Sequence, residues 1–291
     1  GSIGMVYNFL DINSAVSATG SVNAQAAGSI YIYEVAGNLS VGDIVSDRGD
    51  LHLISAGSIL DNDNTDQANM IGRSITLTSL TGSIGMEDNF LDINSAVNAT
   101  GKVDAQAAES IYISEAAGNL SVGVIVSDNG DVHLISAGSI LDNDNTDLAN
   151  VIGRSIILAS LTGSIGTEDN FLDINSAVSA TGAVDAQAAE SIYISEVEGN
   201  LSVGVIVSDN GDVHLISSGS ILDNDNDDQA NVIGRSVILD SHTGSIGTED
   251  NLLDINSAVS AAGAVDAQAA ENIYIYEAAG DLSVGVIASN N

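Results

Sequence analysis

The chain repeats itself almost letter for letter, and the length of that repeat constrains its fold more than any other feature. Gly-Ser-Ile-Gly recurs at Gly1, Gly82, Gly163 and Gly244, so the chain holds three full copies and more than half of a fourth. The copies Gly82 to Thr162 and Gly163 to Thr243 agree at 70 of 81 positions. Self-similarity at a fixed period is the signature of solenoids, propellers and other stacked arrays. An enzyme needs one unequal pocket, whereas an array presents the same surface again and again. No composition shift, Pro-rich stretch or charge run marks a domain boundary. The reading is one continuous solenoid: repeat 1 over 1–81, repeat 2 over 82–162, repeat 3 over 163–243 and a partial fourth over 244–291.

Within each copy a shorter rhythm appears. In the second copy, runs begin at Gly82, Gly101, Gly118 and Gly138, and the next unit begins at Gly163. Between them lie Leu91-Asp92-Ile93, Ser110 to Ile113, Gly130 to Leu134 and Arg154 to Leu158. Each alternates apolar and polar residues, the period-2 pattern of a half-buried strand. Glycine, Asn-Gly and Asp/Asn clusters punctuate the runs as turns. Helical spacing is not sustained anywhere, although Ala105 to Ala108 is Ala-rich. A propeller is arithmetically open at two blades per unit, but the run spacing is uneven and no aromatic signature recurs per blade. The pattern therefore predicts an all-β chain, a right-handed parallel β-helix with coils of about 20 residues, four per 81-residue repeat. On that reading Val132, Leu134, Val103, Ala105 and Ala107 point inward, and Asp131, His133, Lys102, Asp104 and Gln106 point outward. Differences between copies support it: Lys102 becomes Ala183, Ala159 becomes Asp240 and Leu161 becomes His242, while the inward Ile156 becomes only Val237.

The formal net charge is −35, with 5 basic residues against 40 acidic ones. Such a surface repels nucleic acid, whose binding needs clustered Lys and Arg. It disfavours anionic membranes too, and no apolar run approaches the roughly 18 residues of a membrane span. What it attracts is cations, which would relieve self-repulsion. The absence of cysteine excludes disulfides, thiolate metal sites and thiol nucleophiles.

The segments Gly118-Asn119-Leu120-Ser121-Val122-Gly123, Gly130 to Ser136 and Gly138-Ser139-Ile140 resemble the repeats of filamentous-haemagglutinin-type bacterial adhesins. That resemblance implies a right-handed parallel β-helix serving as the shaft of a very large secreted surface protein. It implies an extracellular location, and it supplies no receptor and no binding residue. The expected partners are further copies of the same repeat, end to end or side by side, and cell-surface glycans.

Site chemistry is expected at the Asp-rich corners. Asp142-Asn143-Asp144-Asn145-Thr146-Asp147 recurs as Asp61 to Asp66 and as Asp223 to Asp228. Alternating hard oxygen donors on a turn suit Ca²⁺, which takes six to eight oxygens. The candidate ligands are Asp61, Asp63 and Asp66; Asp142, Asp144 and Asp147; and Asp223, Asp225 and Asp228. The motif departs from an EF-hand, since Asp147 stands where Gly and Gly153 where Glu would be needed. The competing reading is a solvated turn, which Asp and Asn favour on their own account. Glu168-Asp169-Asn170 would assist only if folding brings it close. His52, His133 and His214 are read as outward strand residues, and Tyr31, Tyr112, Tyr193 and Tyr274 as a sparse row. No catalytic residue is assigned. The alternative function is a polysaccharide-binding or polysaccharide-cleaving β-helix, in which Arg73, Arg154 and Arg235 would supply the base once per copy. Ice binding would need Thr ladders, and Thr76 with Thr78 occurs in one copy only.

Overall fold

In a computed structural model, residues 1–16, 20–97, 100–179, 181–259 and 263–290 are described. The chain forms two units, Gly1–Gly138 and Ser139–Asn291. No helix occurs among the described residues, so none is long and apolar enough to cross a membrane.

The first unit is a parallel β-solenoid. One sheet stacks Leu10–Ile12, Ile30–Glu34, Leu51–Ser55, Ile75–Ser79, Val103–Ala107 and Leu120–Ser127 in that order. The other stacks Val22–Ala26, Leu39–Ser46, Met70–Ile71, Leu91–Asn94, Ile111–Glu115 and Val132–Ser136. The chain crosses from one sheet to the other with each strand, so each coil contributes one strand to each sheet. The second unit is built the same way. Val151–Ile152, Leu172–Asn175, Ile192–Glu196, Val213–Ser217, Val237–Ser241, Val265–Ala269 and Val284–Ser289 form one series. Ile156–Ser160, Val184–Ala188, Leu201–Ser208, Val232–Ile233, Leu253–Asn256 and Ile275–Glu277 form the other.

Alternation decides what lies inside. Ile30, Ile32, Leu51, Leu53, Ile75 and Leu77 are buried, while the residues between them are half-exposed. The expected inward set, Val103, Ala105, Ala107, Val132 and Leu134, is buried as well. Burying each such aliphatic side chain contributes about 1.5–3 kcal/mol for the larger ones. At strand ends the inward position belongs to serine, whose hydroxyl caps the turn of the neighbouring coil. Ser46 Oγ donates to the Gly28 carbonyl at 3.0 Å and Ser79 Oγ to that of Gly57 at 2.8 Å.

The number of coils differs from the expected four per repeat. Seven strand levels, not eight, separate Val22–Ala26 from Val103–Ala107, so these equivalent strands, one repeat apart, lie in opposite sheets. Each repeat therefore makes three and a half turns. The coils are also unequal: Ile30 pairs with Leu51, Leu51 with Ile75 and Ile75 with Val103, so each successive coil takes in more chain. The cause is a fused level. Ile84 bridges Ile59 below and Ile111 above, and Leu91 pairs with Ile113, so the runs at Gly82 and Leu91 share one level interrupted by a turn. Gly85 makes that turn at φ +67°, where a Cβ would lie 2.2 Å from the Tyr112 carbonyl oxygen. In the same manner, Ile59–Asp61 and Met70–Ile71 both pair with Leu39–Ser46, interrupted by the Asp-rich corner.

Candidate functional site

The two interruptions place two acidic loops on successive coils at the same position. In the first unit these are the corner Asp61 to Asp66 and the turn Met86 to Phe90. They are tied together by Asn89, whose Nδ2 donates to the Asp63 carbonyl at 2.6 Å. In the second unit Asn170 Nδ2 donates to the Asp144 carbonyl at 2.6 Å, and Asn251 makes the same bond to Asp225. The second acidic corner, Glu168-Asp169-Asn170, is thus brought beside the first.

Within each corner the aspartates divide by role. Asp61, Asp142 and Asp223 end their strands and are buried, and one oxygen of each accepts the amide two residues on, at 3.0, 2.9 and 3.0 Å. The other oxygen, Oδ2, is buried in all three without a hydrogen-bond partner. Asp63 Oδ1 accepts both the amide and the hydroxyl of Thr65 at 2.9 and 2.8 Å. Asp144 does the same with Thr146, and Asp225 accepts the Asp227 amide. These are Asx turns, in which the side chain mimics a backbone turn. Asp66, Asp147 and Asp228 instead face clefts of about 300, 180 and 360 Å³ between the paired loops. The nine expected ligands are therefore not equivalent: the first two of each corner engage their own loop and the last lines the cleft.

The cleft floor holds a residue that the sequence did not single out. Asp92, Asp173 and Asp254 line the same three clefts and are 5, 7 and 4 % exposed. Each sits between two inward residues of a Leu-Asp-Ile strand, on the outward side, and is covered by the loops above it. Burial pushes all three carboxyls up to about 6, and the corner aspartates add to the rise. Burial likewise raises Asp61, Asp142 and Asp223. The Ser114 and Ser195 side chains hydrogen-bond Asp92 and Asp173, but Tyr276 occupies that place beside Asp254. Among the described residues, no three His, Asp or Glu side chains already share one metal-sized cluster.

The other expected features are placed clearly. Tyr31 packs between Phe9 and His52, with ring centroids 5.6 and 4.6 Å away, and Tyr112 between Phe90 and His133 at 5.6 and 4.9 Å. In the second unit, Tyr193 meets Phe171 at 5.6 Å, Phe171 meets His214 at 4.8 Å, and His214 Nε2 lies 3.1 Å from Asp240 Oδ2. Because a repeat makes three and a half turns, Tyr31 and Tyr112 stand on opposite sheets rather than in one row. Arg73 holds Asp50 through two bonds of 2.8 and 2.7 Å, and Arg235 holds Asp212 at 2.9 and 2.6 Å. The guanidinium keeps each of these carboxyls below the usual range. Comparison of the chain with protein-family models, curated proteins and solved structures finds no match.

Proposed function

We propose that the chain is a non-catalytic shaft or filament segment of a large, repetitive, extracellular bacterial surface protein, wound as a right-handed solenoid. Handedness follows from the strong chiral preference of parallel strand connections. The observation that carries the reading is the way repeats stack in register. Within the first unit, one repeat passes to the next with no break in either sheet, so adding copies adds length without adding a new kind of surface. The resemblance to adhesin repeats points the same way. The partners on this reading are further copies of the repeat.

Electron microscopy of the purified protein tests this directly. Rods of uniform width support the shaft, and compact particles about as wide as long would overturn it.

Glycan binding is the second reading, favoured by Phe90 and Phe171, which line acidic clefts and continue into the Tyr–His ladders. Aromatic faces beside carboxylates suit sugar rings and hydroxyls. Binding to a panel of polysaccharides, lost in Phe90→Ala with Phe171→Ala, would support it. The cleaving variant has less behind it, because Arg73 and Arg235 are already held by aspartates.

A further inference from the structure

We propose that Asn129 and Asn210 are latent self-modification sites, held unreactive while their coils are closed and converted to isoaspartate or aspartate by the backbone amide of the following glycine once a coil opens. Asn-Gly occurs at 129–130 and 210–211, the same place in two successive repeats. Both asparagines are exposed, on the turns that join Leu120–Ser127 to Val132–Ser136 and Leu201–Ser208 to Val213–Ser217.

The reaction needs only water. The Gly130 amide nitrogen gives up its proton and attacks the side-chain carbonyl carbon of Asn129. A C–N bond closes a five-membered imide, and the side-chain nitrogen leaves as ammonia with that proton. Water then opens the ring at one carbonyl or the other, leaving aspartate or isoaspartate. Glycine permits the step because it has no Cβ to hinder the ring. Packing dictates the glycine: a Cβ at Gly130 would lie 2.5 Å from the Ser110 amide nitrogen of the neighbouring coil, and one at Gly211 would lie 2.5 Å from that of Ser191. The asparagine is not dictated in the same way, since Arg48 precedes Gly49 at the equivalent place in the first copy.

In the closed coil both reacting groups are tied down. Gly130 is buried, and its N–H donates to Ser127 Oγ at 2.8 Å. Ser127 gives its one hydroxyl proton to the Glu109 carbonyl at 2.9 Å, so a lone pair faces the glycine. Asn129 Nδ2 donates to the Ala108 carbonyl at 2.9 Å, and the Asp128 amide to that of Ala107 at 2.9 Å. The second site repeats the arrangement: Gly211 N–H to Ser208 Oγ at 2.8 Å, Ser208 Oγ to the Glu190 carbonyl at 2.8 Å and Asn210 Nδ2 to the Ala189 carbonyl at 2.9 Å. Ring closure requires the glycine N–H to leave the serine while the asparagine side chain swings off the neighbouring coil. Conversion therefore draws on the open population of that coil, a small fraction of the molecules. It also runs one way. Isoaspartate inserts a methylene into the main chain just before Val132–Ser136, whose residues pair one to one with Ile111–Glu115, so the modified strand regains that register only with distortion.

The test is a time course of folded and urea-unfolded protein at mildly alkaline pH, read by peptide mapping with fragmentation that separates isoaspartate from aspartate. Both sites should convert at least about tenfold more slowly in the folded protein, because opening must precede reaction. Ser127→Ala should speed conversion at Asn129 several-fold and leave Asn210 as an unchanged internal reference; Ser208→Ala should do the reverse. Asn129→Arg, which restores the residue of the first copy, should erase the signal at that step alone. The proposal is overturned if folded and unfolded chains convert at equal rates, or if neither serine variant speeds its own site. Should a serine variant fail to fold, both sites would react at the unfolded rate, and the comparison of folded with unfolded wild type still decides. Neither result bears on particle shape, so these sites and the shaft stand or fall separately.

Discussion

Ser176 and Glu196 are neighbours one coil apart, and both the amide and the hydroxyl of Ser176 donate to Glu196 Oε2, at 2.9 and 2.6 Å. The contact recurs between Ser95 and Glu115, where the amide lies 3.0 Å and the hydroxyl 2.5 Å from the carboxylate. These glutamates end their strands facing inward and are about 1 % exposed. Serine supplies two donors but no charge, and burial wins: both carboxyls are pushed up to about 7.

A raised folded pKa means that the folded state holds its proton more tightly than the unfolded chain. The stabilising contribution of Glu115 and Glu196 is therefore complete below about pH 4.5 and is lost as pH rises through about 7. Each is worth on the order of 3 kcal/mol across that window. The melting temperature should fall between pH 5 and pH 8. Replacing both residues with Gln should flatten that slope, and a slope unchanged in the double variant would refute the assignment.

Inward and outward strand residues should differ sharply. Ile113→Ala empties a fully buried position and should cost about 2–5 kcal/mol in denaturant unfolding. Gln106→Ala, on an exposed strand position, should stay within about 0.5 kcal/mol.

The Arg–Asp pairs are well formed but wet. The side chains of Arg73 and Asp50 are 46 and 21 % exposed, and those of Arg235 and Asp212 are 50 and 25 %. Solvent screening leaves such exposed pairs little net stabilising effect. Arg73→Ala and Arg235→Ala should each leave the melting temperature nearly unchanged, and added NaCl should erase most of any difference. A large drop in melting temperature in either variant would show that these arginines hold the coils together.

The three-and-a-half-turn register has a chemical test, made clean by the absence of native cysteine. Thr76 and Asp104 are direct partners in adjacent coils. Parallel neighbours at the strand spacing of about 4.8 Å fall within the Cα separation a disulfide spans. Thr76→Cys with Asp104→Cys should therefore oxidise to an intramolecular disulfide in a non-reducing gel. Thr76→Cys with Gln106→Cys, one pleat out of register, should cross-link far less. Equal yields would contradict the register.

The sequence by itself determined the all-β class, the parallel solenoid and the inside of each strand. Period-2 alternation assigns Val132 and Leu134 to the interior without reference to any neighbour. It also marked the Asp-rich corners, because Asx turns are local. What only the tertiary structure decided is how the coils stack. Whether Gly82 to Ile84 forms its own level or shares one with Leu91 depends on Ile59 and Ile111 in the coils on either side. That pairing changed four coils per repeat to three and a half and placed Tyr31 and Tyr112 on opposite sheets. The same holds for Asp92, Asp173 and Asp254. Alternation makes each an ordinary outward residue, and its burial needs the Asp-rich corner of the neighbouring coil as well as the turn before its own strand. Local pattern fixes which way a side chain points, but what covers it is a long-range contact that no short stretch of sequence encodes.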